Sequence, residues 1–337
     1  MMIALTGGGT GGHLSIVRSL LLSALKRGLD CIYIGSENGQ DRVWFENENN
    51  FKAKYFLNSK AVVNQNLLKK MSSFLSIVML SRQVQKILLK HKIKAVFSVG
   101  GYSAAPASFA ALMSGIPLFI HEQNSKSGSL NTLLKPFCKG FFSAFEKEYT
   151  PYPVSENFFQ NARVRRELKR VIFLGGSAGA NFINLLALQL APMLDKQGIG
   201  IIHQCGKNDF ELCQKTYEEL DIEVDLFDFH HQLEEKMVLA DLALSRAGAS
   251  TLFELCANQL PCIFIPYPYA AKNHQFFNAK FLQERNLCCI FLQEQAKCQD
   301  VFKAILNFNI QECSENLSQI VQKNGADILL EKTFQFL

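Results

Sequence analysis

No Cys-x-x-Cys pair occurs among the ten cysteines, at 31, 138, 205, 213, 256, 262, 288, 289, 298 and 313. Most of them sit inside apolar runs, which favours buried reduced thiols of a cytoplasmic protein over disulfides or a zinc site. No apolar run reaches the roughly 20 residues that a helix needs to cross a bilayer. The opening Met2-Ile3-Ala4-Leu5 reads as a strand, with no basic leader and no cleavage site, so the expectation is a soluble or peripheral protein. Charge of one sign is scarce too. With 35 basic and 30 acidic residues the net charge is +5, which is not a nucleic-acid-binding composition, and no nucleic acid is expected as a partner. No Asp-x-Asp follows a strand, since Asp225-Leu226-Phe227-Asp228 lacks that spacing, so neither a metal nor another cofactor is expected.

What the chain has is glycine in two special places. Leu5-Thr6-Gly7-Gly8-Gly9-Thr10-Gly11-Gly12-His13 has a near copy in Phe173-Leu174-Gly175-Gly176-Ser177-Ala178-Gly179-Ala180. Each is an apolar run, a glycine-dense turn with a hydroxyl residue, and then an apolar-periodic segment, which reads as strand, loop and helix. Glycine lets the backbone take positive φ and lets an anion approach, and the following helix start offers free N–H groups to a phosphate. A glycine turn after a strand also serves simple tight packing, but two copies favour a pair of similar α/β halves facing one ligand cleft. A length of 337 residues with 48% hydrophobic and 19% charged residues suits two globular domains.

The order of elements supports this. Leu14, Val17, Leu20, Leu21 and Leu25 have helical spacing up to Gly28, and Cys31 to Gly35 is a second strand. Strands follow at Lys54 to Leu57, Ala95 to Gly100 and Pro117 to Ile120, the last delivering His121-Glu122-Gln123-Asn124 to its carboxyl end. Tyr149 to Arg166, with Pro151 and Pro153, reads as the interdomain link. The pattern then restarts with strands at 171–174, 200–204, 224–229, a strand ending at Ser245, and 262–266. Alternation of this kind predicts doubly covered parallel sheets with the ligand beyond the carboxyl ends of the strands. Between Lys52 and Lys94, ten cations ring the apolar stretch Met71 to Leu80, a pattern that fits either an anionic membrane surface or a core helix with a basic end.

Two further segments carry chemistry. Gly248-Ala249-Ser250-Thr251 opens a helix as a second anion seat, with Glu254 one turn in, able to accept from a vicinal diol such as a ribose. Lys272 to Asn278 offers donors and acceptors suited to sugar hydroxyls. Together they describe a nucleotide-sugar pocket.

Gly8 to His13, Gly100-Gly101-Tyr102, His121 to Asn124, Gly175 to Ala180 and Ser245 to Glu254, in this order, resemble the peptidoglycan N-acetylglucosaminyltransferase family, which converts lipid I to lipid II. The resemblance runs over nearly the whole chain. It implies a GT-B fold of two Rossmann-like, doubly wound parallel-sheet domains facing a central cleft. The acceptor and membrane domain would span 1–155 and the donor domain 167–315, with a helix in 316–337 packing back on the first. It implies UDP-GlcNAc as donor, lipid I as acceptor, peripheral docking on the anionic cytoplasmic leaflet, and other cell-wall synthesis proteins as partners. By motif, Thr10, Gly11, Gly12 and Asn124 would contact the donor, Ser177 the diphosphate, and Ala249, Ser250, Thr251, Leu252, Phe253 and Glu254 the diphosphate and ribose. Gln275 would hold the GlcNAc, the backbone near His230 the uracil, and Gly9, Tyr102 and Ser103 the acceptor. The family's Gly-Asn-Pro-Val-Arg segment aligns with Asn161 to Arg165, which assigns Arg165 to the donor, with Arg163 and Arg166 as neighbouring alternatives. Ile16 and Ala178 stand where the family has proline and glutamine.

An inverting transfer needs a base for the acceptor's 4-hydroxyl, and an imidazole with its ordinary pKa near 6.5 suits that task. His13 is the candidate, with Glu122 orienting or replacing it. Two rivals stand beside this reading. A related enzyme acting on another glycolipid shares the motifs. A NAD-dependent oxidoreductase would use Gly7-x-Gly9-x-x-Gly12 with Glu37 as its acidic partner, and it leaves the second glycine loop unexplained.

Overall fold

In the computed structural model residues 1–59, 67–146, 149–176, 179–230 and 232–336 are described, with backbone alone for 67–74. The chain divides into two compact units, Met1–Val154 with Asn324–Leu337, and Ser155–Lys323.

The first unit is built on a six-stranded sheet of β1 (Met2–Thr6), β2 (Asp30–Ser36), β3 (Ala53–Leu57), β4 (Ala95–Ser98), β5 (Leu118–Glu122) and β6 (Gly140–Ser143). All neighbours pair parallel, in the order β3-β2-β1-β4-β5-β6. Helices cover both faces, so the strands read as continuous apolar runs, and Ala4, Ile32, Ile34, Val96, Leu118 and Ile120 form one packed core. Each fully buried Leu, Ile, Val or Phe contributes about 1.5–3 kcal/mol from removal of its surface from water. The Gly325–Phe334 helix packs on the Gly11–Lys26 helix of this unit. Ser23 Oγ donates to Asp327 at 2.5 Å, and Arg27 pairs with Asp327 and with Glu331.

The second unit repeats the plan with β7 (Arg170–Leu174), β8 (Gly200–Gln204), β9 (Val224–Phe227), β10 (Leu242–Ser245), β11 (Cys262–Phe264) and β12 (Cys288–Ile290). Its order, β12-β11-β10-β7-β8-β9, is the same topology as the first sheet. In each sheet the strand order reverses at the first strand of the unit, beside its fourth. A glycine loop follows that first strand, so both loops lie at a topological switch point, where doubly wound sheets bind ligands. The short edge strands β6 and β12 were not anticipated from sequence. Most of the stretch expected as a link, from Ser155 to Arg166, is part of the second unit, where polar bonds rather than apolar periodicity hold it.

Candidate active site

In the first unit, the β1 loop and the β4 loop interlock. Gly7 and Gly101 both have positive φ, and a Cβ on either would meet backbone oxygen of the other loop, Gly100 O at 2.6 Å and Gly8 O at 2.4 Å respectively. No other residue fits there. This close approach fixes where the Gly11–Lys26 helix begins. Thr10 stands at its N-cap without capping it, and its Oγ1 lies 2.9 Å from His13 Nδ1 instead.

The Gln123 amide donates toward the same imidazole, 2.9 Å from Nε2 and 3.3 Å from Nδ1. A ring that accepts from an amide has an unprotonated nitrogen, which is the form a base needs. Gln123 sits inside the His121 to Asn124 motif, and nothing in its sequence neighbours marks it as a partner of His13.

Glu122 does not share that position. Its Oε1 accepts from Asn124 N at 2.9 Å, and its Oε2 accepts from Gly128 N and Asn131 Nδ2, each at 2.9 Å. The carboxylate is almost fully buried and shapes the loop that presents Asn124, so Glu122 organises this loop rather than standing in as the base. His121 is buried with both ring nitrogens unpartnered, and burial, then the charge of His13, push it down to about 3. Ser103 is also buried with its hydroxyl unpartnered. Tyr102 lies against the first loop, its Cε1 2.6 Å from where a Cβ on Gly9 would be. The Gly9 amide itself donates inward to Asp41 Oδ2 at 2.7 Å.

In the second unit, Ser177 and Ala178 lie outside the described residues. The Ala249–Ala257 helix starts after Gly248, and its Ala249, Ser250, Leu252 and Phe253 side chains are buried. Thr251 and Glu254 keep part of their side chains accessible, so the first turn offers backbone N–H groups, one hydroxyl and one carboxyl. Burial, and secondarily the charge of Glu234, push the Glu254 carboxyl up to about 7. Gln275 Oε1 accepts from Ala247 N at 3.2 Å and from Tyr267 N at 2.9 Å, which ties the loops after β10 and β11 together and leaves its NH2 as the donor.

Arg246, unremarked in the sequence, braces the same region. It donates to Ile265 O at 3.0 Å, Pro266 O at 3.3 Å and Gln293 Oε1 at 2.7 Å. His230 accepts from Gln232 N at 3.2 Å through Nδ1 and packs edge-on to Phe227.

Arg165 is used differently from the expectation. It is 0% exposed, and its guanidinium donates to Ala240 O at 3.1 Å, Arg163 O at 2.8 Å, Met237 O at 3.0 Å, Asn258 O and Asn258 Oδ1. All five of its N–H groups are thus taken by acceptors within the unit, so in this structure it holds the fold. Neighbouring Arg163 pairs with Asp241 at 2.7 Å. Glu37, which the dinucleotide rival requires, is exposed beside Arg42. Among the described residues no group of three or more His, Cys, Asp or Glu is placed to hold a metal ion.

Both units are similar to known glycosyltransferases. Residues 3–143 match the glycosyltransferase family 28 N-terminal domain, and residues 170–330 the glycosyltransferase family 28 C-terminal domain. A protein of Campylobacter jejuni subsp. doylei named UDP-N-acetylglucosamine--N-acetylmuramyl-(pentapeptide) pyrophosphoryl-undecaprenol N-acetylglucosamine transferase is 67% identical over 98% of this chain and 97% of its own. A protein of the same name from Campylobacter fetus is 51% identical over 98% of this chain and 99% of its own. Among solved structures, Acinetobacter baumannii MurG superposes with a TM-score of 0.78 at 23% identity, covering 99% of each chain, a likeness in fold.

Proposed function

The chain belongs to glycosyltransferase family 28, and from that premise we propose how its residues share the work. It transfers N-acetylglucosamine from UDP-GlcNAc to the MurNAc of undecaprenyl-pyrophosphoryl-MurNAc-pentapeptide, the step from lipid I to lipid II. The observation that carries this is the 67% identity, end to end, with an enzyme named for that transfer.

The second unit holds the donor. First-turn amides of the Ala249–Ala257 helix and the helix dipole receive the diphosphate, joined by the loop that contains Ser177. Thr251 and Glu254 take the ribose, the backbone near His230 the uracil, and the Gln275 NH2 a hydroxyl or the acetamide oxygen of the GlcNAc. The first unit supplies the base. Thr10, Gly11 and Gly12 lead into His13, and with Asn124 they are assigned to the reacting end of the sugar, with Gly9, Tyr102 and Ser103 toward the acceptor.

The step balances with these groups. The acceptor O4 forms a bond to the anomeric carbon as the bond from that carbon to the diphosphate oxygen breaks. The O4 proton passes to His13, and the leaving electron pair goes to UDP, whose charge the helix start stabilises. Attack opposite the leaving group inverts the α-linked donor to a β-linked product.

The acceptor is lipid-linked, and the Leu67–Lys90 helix offers a surface for its membrane. Leu75 and Met79 are 61% and 72% exposed, on the same stripe as exposed Arg82, Lys86 and Lys90. An apolar strip continuing into cations suits the interface of an anionic leaflet, and this supports the reading of a protein docked peripherally on the cytoplasmic face, with other cell-wall synthesis proteins as partners. Among the described residues no helix is long and apolar enough to cross a membrane.

The test is transfer of labelled GlcNAc from UDP-GlcNAc to a short-chain lipid I analogue, with and without EDTA. Transfer in both supports the reading. Thermal stabilisation by UDP-GlcNAc without transfer would point to another glycolipid acceptor, and neither response would overturn the assignment.

A further inference from the structure

Asp41 has no part in the transfer as set out above, yet its buried carboxylate is bonded directly to the first glycine loop. It begins the short Asp41–Phe45 helix and is 0% exposed. Its Oδ2 accepts from Gly9 N at 2.7 Å. Its Oδ1 accepts from Tyr33 OH at 2.8 Å and Ser36 N at 2.9 Å. The Tyr33 hydroxyl also lies 2.9 Å from Gly7 O, so its single proton is shared between that carbonyl and Asp41 Oδ1, and the phenol and the carboxylate together brace the loop.

The packing is as specific as the bonding. A Cβ on Gly8, Gly35 or Gly39 would come within 2.4, 2.6 or 2.8 Å of an Asp41 carboxylate oxygen. Three glycines, one in the β1 loop, one in β2 and one in the loop after β2, therefore leave room for this one side chain. Burial, then the charge of Asp41, raise the Tyr33 phenol well above its ordinary value, which keeps it an O–H donor.

A loop built only to cradle phosphate would keep its amides for the anion, and here the Gly9 amide is taken by a carboxylate. That carboxylate sits behind the turn leading through Thr10 to His13, whose Nδ1 the Thr10 hydroxyl meets. We propose that Asp41 is a positioning residue for the transfer: through the Gly9 amide it fixes the loop that holds Thr10 and His13 against the acceptor's 4-hydroxyl. The proposal rests on His13 being the base.

The test uses the full-length enzyme with Asp41→Asn, His13→Ala, the double variant and Tyr33→Phe. An asparagine keeps only one acceptor oxygen, so either Gly9 or the Tyr33 and Ser36 pair loses its partner. Asp41→Asn should speed hydrogen exchange in a peptide covering residues 6–13 and lower kcat by about 10- to 100-fold, as a displacement of up to an ångström does. UDP-GlcNAc affinity should fall much less than kcat, since the diphosphate, ribose and uracil are assigned to the other unit and only the reacting end of the sugar to this loop, and the double variant should be no slower than His13→Ala alone. Faster exchange with kcat within about twofold of the parent overturns the proposal, as does a loss that multiplies with that of His13→Ala. Should Asp41→Asn not fold, Tyr33→Phe decides, because it loosens the clasp and keeps the carboxylate. A smaller loss of kcat with faster exchange supports the role, and unchanged kcat despite faster exchange refutes it. If His13→Ala itself retains near-parent kcat, the base assignment fails, a result separate from either Asp41 outcome.

Discussion

Donor binding should depend on pH through Glu254. Its carboxyl is pushed up to about 7 by burial and then by Glu234, which is itself held by Asn157 Nδ2 at 2.9 Å. A ribose diol donates two hydroxyl protons, and only the ionised carboxylate accepts both. If the ionised form binds, the apparent Kd for UDP-GlcNAc rises about tenfold for each pH unit below 7 and is nearly flat above 8. The weakening levels off at about 10- to 100-fold, the worth of a hydrogen bond to a charged group. Binding below pH 7 should release a proton, because the diol favours the charged form.

The stability of the ligand-free protein carries the opposite sign. With a folded-state value above the ordinary one, the folded protein keeps a proton between about pH 4.5 and 7 that the unfolded chain has lost. Stability therefore falls as pH rises through that window, by about 3 kcal/mol in all. Titration calorimetry of UDP-GlcNAc in buffers of different ionisation enthalpy, from pH 5.5 to 8.5, measures both the affinity and the proton. The donor's diphosphate is a diester and does not titrate in this range. Glu254→Gln should bind weakly with little pH dependence, and Glu234→Gln should move the transition to lower pH. A flat Kd in the parent protein, or the same slope in Glu254→Gln, would refute the reasoning.

Other expectations follow from the same geometry. His13→Ala should lower kcat by about 10²- to 10⁴-fold while leaving UDP-GlcNAc affinity within about twofold, read from steady-state rates and calorimetry. Arg165→Ala should cost about 3–5 kcal/mol in denaturant unfolding, because it orphans several buried carbonyl groups, and Arg165→Lys should not rescue it, having too few donors in the wrong geometry. Met79→Asp should weaken sedimentation with anionic vesicles without changing the thermal midpoint by more than a degree or two, since that side chain is exposed. Equal binding of both proteins to anionic and neutral vesicles would count against the membrane surface.

Much of the fold could be read before any coordinates because parallel strands buried on both faces are continuous apolar runs, and each switch-point loop announces itself by glycine. The edge strands β6 and β12 are only four and three residues long, too short to stand out from neighbouring apolar residues. The positions of Thr10 and His13 at the head of the Gly11–Lys26 helix, and the start of the Ala249–Ala257 helix, were legible because a glycine turn before an apolar-periodic run marks a helix terminus locally. Asp41 and Arg165 were not. Asp41 matters through amides on its own loop and on one 32 positions earlier, and nothing in its neighbours in sequence announces that. Arg165 lies in a segment that looks like a ligand contact, but it satisfies backbone carbonyls where the Leu233–Met237 and Ala249–Ala257 helices end, a need that arises only once those helices pack. Gln123 belongs with them, since its amide reaches a ring 110 positions away.

The linkage formed by the enzyme tests the central claim most directly. UDP-GlcNAc and a lipid I analogue would be converted and the disaccharide product examined by nuclear magnetic resonance, with His13→Ala run alongside. The account predicts a β-linked GlcNAc on O4 of MurNAc, formed at a rate that collapses in the variant. An α-linkage, transfer to a different hydroxyl, or undiminished product from His13→Ala would contradict it.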